Sequence, residues 1–301
     1  MSIGPDLVVI GVAKAGTTAM ARWLDDHPQV AMSRIKEPHF FATDIDPKTF
    51  SEAYKKMSPD LDPAYWDNES LPPVHGAFVQ DAAKYQRLWE HAQPGQVKAE
   101  ASPSYGFSEA APAALAKANP EAKVLLILRN PVDRAISHFR MARQYGMVTE
   151  NFEQAMEEDL KAEAGWGRSE NFVALSTYAP IIQRWKAHFP QMRVELYEEL
   201  FDGRSWDHLS DWLGIDSAPH PQAAVFQGQD PKWPALNRML VHTHLGQTIR
   251  SLVPDAIKRR AQRIISTQSQ EVYDREWAWR LFEEDRKTTE SLLGRQLSLW
   301  T

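Results

Sequence analysis

The chain has 301 residues, with 34 Lys and Arg against 40 Asp and Glu, a formal net charge of −6 and no cysteine. That length supports a sizeable core. The mildly acidic balance argues against nucleic acid as a partner, and the lack of thiols excludes disulfides, thiolate metal sites and cysteine nucleophiles.

No apolar run is long enough to cross a bilayer, and the first residues lack a basic stretch followed by a long apolar one. The expectation is a cytoplasmic chain that begins at Met1, has no transmembrane segment and forms a single domain over residues 1–301, since no linker interrupts it.

Leu7 to Ile10, then Val12, read as a buried strand, and Thr18 to Asp26 has helical spacing that ends before Pro28. The loop between them carries Gly11 and Gly16 at the two glycine positions of G-x-x-x-x-G-K-[ST], but Thr17 stands where the lysine belongs and the lysine is inside the loop, at Lys14. Successive amides and a helix N-terminus suit a phosphate, and the displaced lysine argues for an ester other than a nucleoside triphosphate. The alternative is an ordinary turn whose threonines cap the helix.

Gln29 to Met32 reads as a short strand. Lys36-Glu37-Pro38-His39-Phe40-Phe41 follows, where a carboxylate beside aromatic rings is expected to have a raised pKa and so to suit a base. A surface Lys36–Glu37 pair with the phenylalanines in the core is the plainer reading. Residues 42–95 carry helical spacing only near Thr49 to Lys56 and Ala82 to His91.

Gln96 to Ala99 is a possible strand before Glu100-Ala101-Ser102-Pro103, and Ala110 to Ala118 reads as a helix. Lys123 to Leu128 is the second strongly apolar strand. After it, Arg129 sits at the strand end, Asn130 is a good N-cap and Pro131 fits the first helical position. Ligands of open α/β sheets bind at the carboxyl ends of strands, so Arg129, with Ser137 two turns into the helix, has the chemistry to hold a second phosphate. A structural salt bridge by Arg129 is the other reading.

Asn151 to Leu160 and Thr177 to Phe189 have helical spacing, and Val194 to Tyr197 reads as a strand. An amphipathic stretch runs from Glu198 to Leu213, residues 215–243 are loop-like, and Val272 to Leu293 closes the chain with helix. Between Lys232 and Arg263 seven basic residues face one acid, Asp255, which marks either a solvated face or a cover over an anion.

These stretches, in this order, resemble the sulfotransferases that use 3'-phosphoadenosine 5'-phosphosulfate (PAPS), above all bacterial members related to the Golgi heparan sulfate enzymes. The resemblance covers nearly the whole chain. It includes Lys14-Ala15-Gly16-Thr17-Thr18, Lys36 to Phe41, Arg129 to Ser137, Tyr197-Glu198-Glu199-Leu200 before Trp212-Leu213-Gly214, and Leu293-Gly294-Arg295 to Trp300.

The resemblance implies an α/β, P-loop-like three-layer fold with a central, mainly parallel sheet flanked by helices. It implies PAPS as donor co-substrate, with no metal. Lys14, Ala15, Gly16, Thr17 and Thr18 would hold the 5'-phosphosulfate, Arg129 and Ser137 the 3'-phosphate, and Lys232 would belong to a cover over the nucleotide. Glu37 would be the general base, with His39 beside it, and the partner an acceptor substrate: a carbohydrate, glycolipid or small molecule. Where the glycosaminoglycan enzymes carry a lysine in a Glu-Lys-Ser-Pro-like segment this chain has Ala101, and Lys98 is the nearest substitute. Competing readings are a P-loop nucleotide or small-molecule kinase, and a nucleotide-binding module without catalysis. The displaced lysine and the lack of an acidic strand end for Mg²⁺ speak against the kinase.

Overall fold

The apolar run after Asp6 forms β1 (Leu7–Val9), and all three residues are fully buried. The structure, a computed structural model, describes residues 4–57, 61–200, 206–217, 230–231, 266–267 and 272–300. The basic stretch that begins at Lys232, with Trp233, lies outside the described residues.

After β1 come α1 (Thr17–Asp26), β2 (Val30–Met32), β3 (Ile35–Lys36), α2 (Glu52–Met57), β4 (Val74–His75) and α3 (Ala82–Arg87). Then follow β5 (Val97–Ala101), α4 (Ala111–Ala118), β6 (Lys123–Leu128), α5 (Pro131–Gln144), α6 (Phe152–Lys161) and α7 (Ala179–Lys186). The last elements are β7 (Arg193–Leu196), α8 (Tyr197–Leu200), α9 (Trp206–Leu213), the pair β8 (Asp230–Pro231) and β9 (Ser266–Thr267), and α10 (Arg275–Leu293).

Five strands form one sheet in the order β2-β5-β1-β6-β7, and every pairing in it is parallel. From β1 the chain crosses through α1 toward one edge, and from β5 it crosses through α4 to the other side of β1. Right-handed crossovers in opposite directions lay their helices on opposite faces, which gives the expected three layers. A strand buried on both faces has to be apolar throughout. Val124 to Leu128 accordingly have at most 1 % exposure, and each such aliphatic contributes about 1.5–3 kcal/mol of burial. A second cluster, with Phe139 of α5, Phe152 of α6, Phe172 and Phe282 of α10, joins the C-terminal helix to the sheet's helical cover.

The order places β1 between β5 and β6, so the direction of winding reverses beside it. The carboxyl ends of these three strands form the crevice where such sheets bind ligands. The β1 ladder continues past the strand, with Ile10 N donating to Leu125 O at 2.9 Å and Val12 N to Ile127 O at 3.0 Å. The loop therefore leaves the sheet from a fixed start.

Several boundaries differ from the sequence reading. β5 runs on to Ala101 and takes Glu100 into the sheet, because three hydroxyl groups meet its carboxylate there. Tyr197 opens α8 instead of ending β7. The helix expected from Thr49 is a 3-10 turn at Pro47–Thr49 followed by α2. The pair β3–β4 has no trace in the sequence, since two-residue strands offer no alternation to read.

Candidate active site

The loop after β1 turns on Gly11, at φ 136°, and Gly16, at φ 93°. A side chain on Gly11 would meet the Pro103 carbonyl at 3.4 Å, and its φ is one that only glycine adopts without strain. Gly16 is the N-cap of α1 and brings no side chain to bond the first turn. The threonines do not cap: Thr17 is already the first helical residue and is buried, with Thr18 half-buried beside it. The first-turn amides are thus open toward the crevice, with the positive end of the helix dipole behind them.

Two arginines hold this loop by its carbonyls. Arg129, at the end of β6, donates from Nη1 to Lys14 O at 3.2 Å, and its guanidinium lies 4.7 Å from the Tyr197 ring. Arg134, fully buried on α5, donates to Ala13 O at 3.3 Å, Phe172 O at 2.6 Å and Ser176 Oγ at 2.6 Å. Burial lowers its pKa to about 10, which leaves it cationic at neutral pH. The carbonyls of Ala13 and Lys14 are thus held by the arginines, and the Ala15 amide donates to Val12 O at 3.1 Å within the loop.

Among the described residues the Lys14 ammonium meets only Met141 Sδ, at 3.5 Å. Burial, then the charges of Arg129 and Arg134, lower the Lys14 pKa to about 8, while the Glu37 charge opposes them. Lys14 and Glu37 therefore lie within electrostatic reach of each other. Ser137 is one turn before Met141 on α5 and shares the helix face that meets Lys14. β8 packs near α5, and Lys232 is the next residue, outside the described ones.

Glu37 lies just past β3, close to Lys36 Nζ, with His75 Nε2 at 3.6 Å and His39 Nε2 at 3.9 Å. Burial pushes its carboxyl up, but Lys36, His39 and His75 together outweigh burial and hold the pKa below the ordinary value. The raised pKa expected from the sequence is therefore corrected. The neighbouring phenylalanines belong elsewhere: Phe40 stacks on Tyr85 at 4.0 Å and Phe41 is buried in the core. Glu37 is an ionised carboxylate paired with the Lys36 ammonium.

His39 is buried, stacks on Phe78 at 4.3 Å and joins Ser104 Oγ through Nδ1 at 2.6 Å. Burial lowers its pKa to about 4 against the pull of Glu37, so the ring is neutral at pH 7. The Trp166 ring lies 6.2 Å from that of His39. Lys98 is exposed near the amino end of β5, and its backbone amide donates to Asp6.

The loop, Arg129 and the Glu37 segment thus converge at one edge of the sheet. Arg134 and His75 join them without a motif of their own; the polar spacing Arg134, Ser137, His138 on a helix that starts at a strand end is the signal for Arg134. The remaining resembling stretches form a brace. Glu198 accepts the Asn130 amide at 2.8 Å and the Trp300 indole at 3.3 Å, and Arg295 pairs with both Glu199 oxygens at 3.1 and 3.0 Å. This brace fixes the start of α5, and with it Arg129.

A strand, a glycine-containing loop and an uncapped helix N-terminus at the carboxyl edge of a parallel sheet make an arrangement suited to a phosphate-bearing ligand. The sulfotransferase family model matches residues 5–171, more than half of the chain, and the chain belongs to that family. Human heparan sulfate glucosamine 3-O-sulfotransferase 3B1 is 25% identical over 218 residues, 70% of this chain and 46% of that protein. The mouse 3-O-sulfotransferase 5 is 27% identical over 191 residues, 62% of this chain and 45% of that protein. The chain thus spans slightly under half the length of these curated relatives. A sulfotransferase from Alicyclobacillus acidocaldarius has the same fold, with a TM-score of 0.65, 22% identity, and 99% of this chain and 98% of that chain covered.

Proposed function

We propose that this chain moves the sulfuryl group of PAPS to a hydroxyl or amine of an acceptor, by in-line displacement. The observation that carries this is the loop after β1: a half-buried ammonium, Lys14, just ahead of a helix N-terminus that no side chain caps, with the charge of Glu37 acting on it. The open amides of Gly16, Thr17 and Thr18 fit a 5'-phosphate ester, and Arg129 with Ser137 fits a 3'-phosphate. The co-substrate supplies an activated sulfuryl group. Glu37 takes the acceptor proton as the acceptor oxygen or nitrogen bonds to sulfur. Lys14 meets the electron pair that stays with the departing phosphate.

Sulfuryl transfer, like phosphoryl transfer, needs positioning and charge stabilisation more than covalent help. Among the described residues no group of His, Asp or Glu has metal-binding geometry, and Lys14 with the loop amides supplies the positive field. The relatives named for glucosamine sulfation support a carbohydrate acceptor, and Phe78 and Trp166 beside His39 offer it stacking faces. The cysteine-free composition supports a cytoplasmic setting.

Calorimetry tests the donor. Two charge-assisted contacts, each worth about 1.5–3 kcal/mol, are expected to make adenosine 3',5'-bisphosphate bind about a hundredfold or more tighter than adenosine 5'-phosphate, with or without a chelator. Arg129→Ala is expected to erase most of that preference. Equal affinities, or binding of ATP only with Mg²⁺, would overturn the reading in favour of a kinase.

A further inference from the structure

Glu100 is a carboxylate with no exposure at all, in the strand beside β1, flanked by fully buried Ala99 and Ala101. Among the described residues no cation pairs with it. Its partners are three hydroxyls: Tyr85 Oη in close contact with Oε1, Tyr105 Oη at 3.0 Å from Oε1 and 3.3 Å from Oε2, and Ser102 Oγ at 2.8 Å from Oε2. For core stability alone such a group is a poor choice, since burying a charge without a counter-charge is costly.

Two of those hydroxyls lead onward. Ser102 Oγ accepts the His39 amide at 3.2 Å, and Tyr105 Oη accepts the Phe41 amide at 3.2 Å. An ionised carboxylate has no hydrogen to give, so each hydroxyl hydrogen points toward it and leaves oxygen lone pairs for the two amides. One carboxylate thus fixes the direction of two relays that grip the backbone just past Glu37. The gripped segment is strained, with Glu37 at φ 68° and His39 at φ 53°. Strain of this kind persists only where surrounding contacts over-determine it.

We propose that Glu100 is a positioning residue, whose ionised form holds residues 37–41 in the geometry that sets Glu37 and His39 against the acceptor. The proposal rests on the transferase reading only for the roles of Glu37 and His39. Protonation of Glu100 turns an accepting oxygen into a donor, so a hydroxyl loses the acceptor its hydrogen was aimed at and the grip loosens. Burial raises the Glu100 pKa to about 7 against the three hydroxyl bonds that lower it. The groups facing it do not titrate near there: Tyr85 and Tyr105 are pushed well above the ordinary tyrosine value, first by burial. In the site, Glu37 stays ionised, His39 stays neutral and Lys14 stays charged through pH 7. Glu170, near His138, also titrates near 7, raised by burial and then by Asp159. The assignment therefore needs the Glu100 variant.

The experiment pairs the pH profile of kcat with NMR of protein labelled with ¹⁵N at His and Phe. In the wild type the His39 and Phe41 amide shifts are expected to titrate with a midpoint near 7, and kcat to fall as pH drops through the same range. Glu100→Gln is expected to abolish both titrations and to lower kcat about tenfold or more, with affinity for adenosine 3',5'-bisphosphate unchanged. Ser102→Ala, which cuts only the His39 arm, is expected to lower kcat and keep the Phe41 titration; it serves also if Glu100→Gln does not fold. Amide shifts that do not move near pH 7 in the wild type, or a Glu100→Gln protein with wild-type kcat and the same acid limb, would overturn the proposal. Titrating amides in a protein that transfers no sulfuryl group would uphold the grip and sink the transferase reading instead.

Discussion

Lys14→Ala is expected to lower turnover by about two to three powers of ten, with a smaller loss of nucleotide affinity, because it removes a preorganised charge from the place where the leaving phosphate gathers its own. No other ammonium among the described residues takes its place in the loop: Arg129 and Arg134 are engaged by the loop carbonyls. The sign of the pH effect follows from the Lys14 pKa of about 8. Below that value the group is charged and above it neutral, so the alkaline limb of kcat/KM is expected to begin near pH 8. A bound phosphate favours the charged form, so binding above pH 8 takes up a proton and weakens as pH rises. Calorimetry in buffers of differing ionisation heat measures that uptake. A folded Lys14→Ala protein with near-normal turnover would remove Lys14 from the mechanism.

Glu37→Gln is expected to reduce transfer about a hundredfold or more while PAPS binding survives, since the amide keeps size and hydrogen bonding but not basicity. The surroundings sharpen this expectation. A carboxylate held low by Lys36, His39 and His75 is ionised in the resting site yet weakly basic, and removal of the Lys36 charge raises its proton affinity. Lys36→Met should therefore move the acid limb belonging to Glu37 upward in pH. Single-turnover rates across pH for the two variants check this. If His39→Ala abolishes transfer and Glu37→Gln does not, His39 is the base.

The loop after β1 and the start of α5 were legible because their signals are local. A β-branched run, two glycines and a lysine between them define the first loop, and Asn130-Pro131 defines the helix start, with Asn130 accepting from Val132 N and Asp133 N as expected. The surroundings of Glu37 were only half legible. The Lys36–His39 segment stood out by composition, but the environment of Glu37 depends on His75, delivered by a two-residue strand from the least patterned part of the chain. Backbone turns at Glu37 and His39 also re-aim the side chains, which is why adjacency to Phe40 and Phe41 misled about the carboxylate. The strand reading stopped at Ala99, short of Glu100, because a lone acid in a buried strand is improbable until its hydroxyl partners are known.

Four non-glycine residues among those described have φ in the left-handed region, and three of them are Lys14, Glu37 and His39. An L-residue held there costs about 1–2 kcal/mol. A laboratory selection on folding alone would consequently collect glycine at positions 14 and 37, yielding hardier proteins emptied of chemistry, whereas His39 is kept by its packing on Phe78 and its bond to Ser104. Screening a library twice, once for heat resistance and once for sulfuryl transfer, would draw the catalytic centre as the set of sites where the two scores part company.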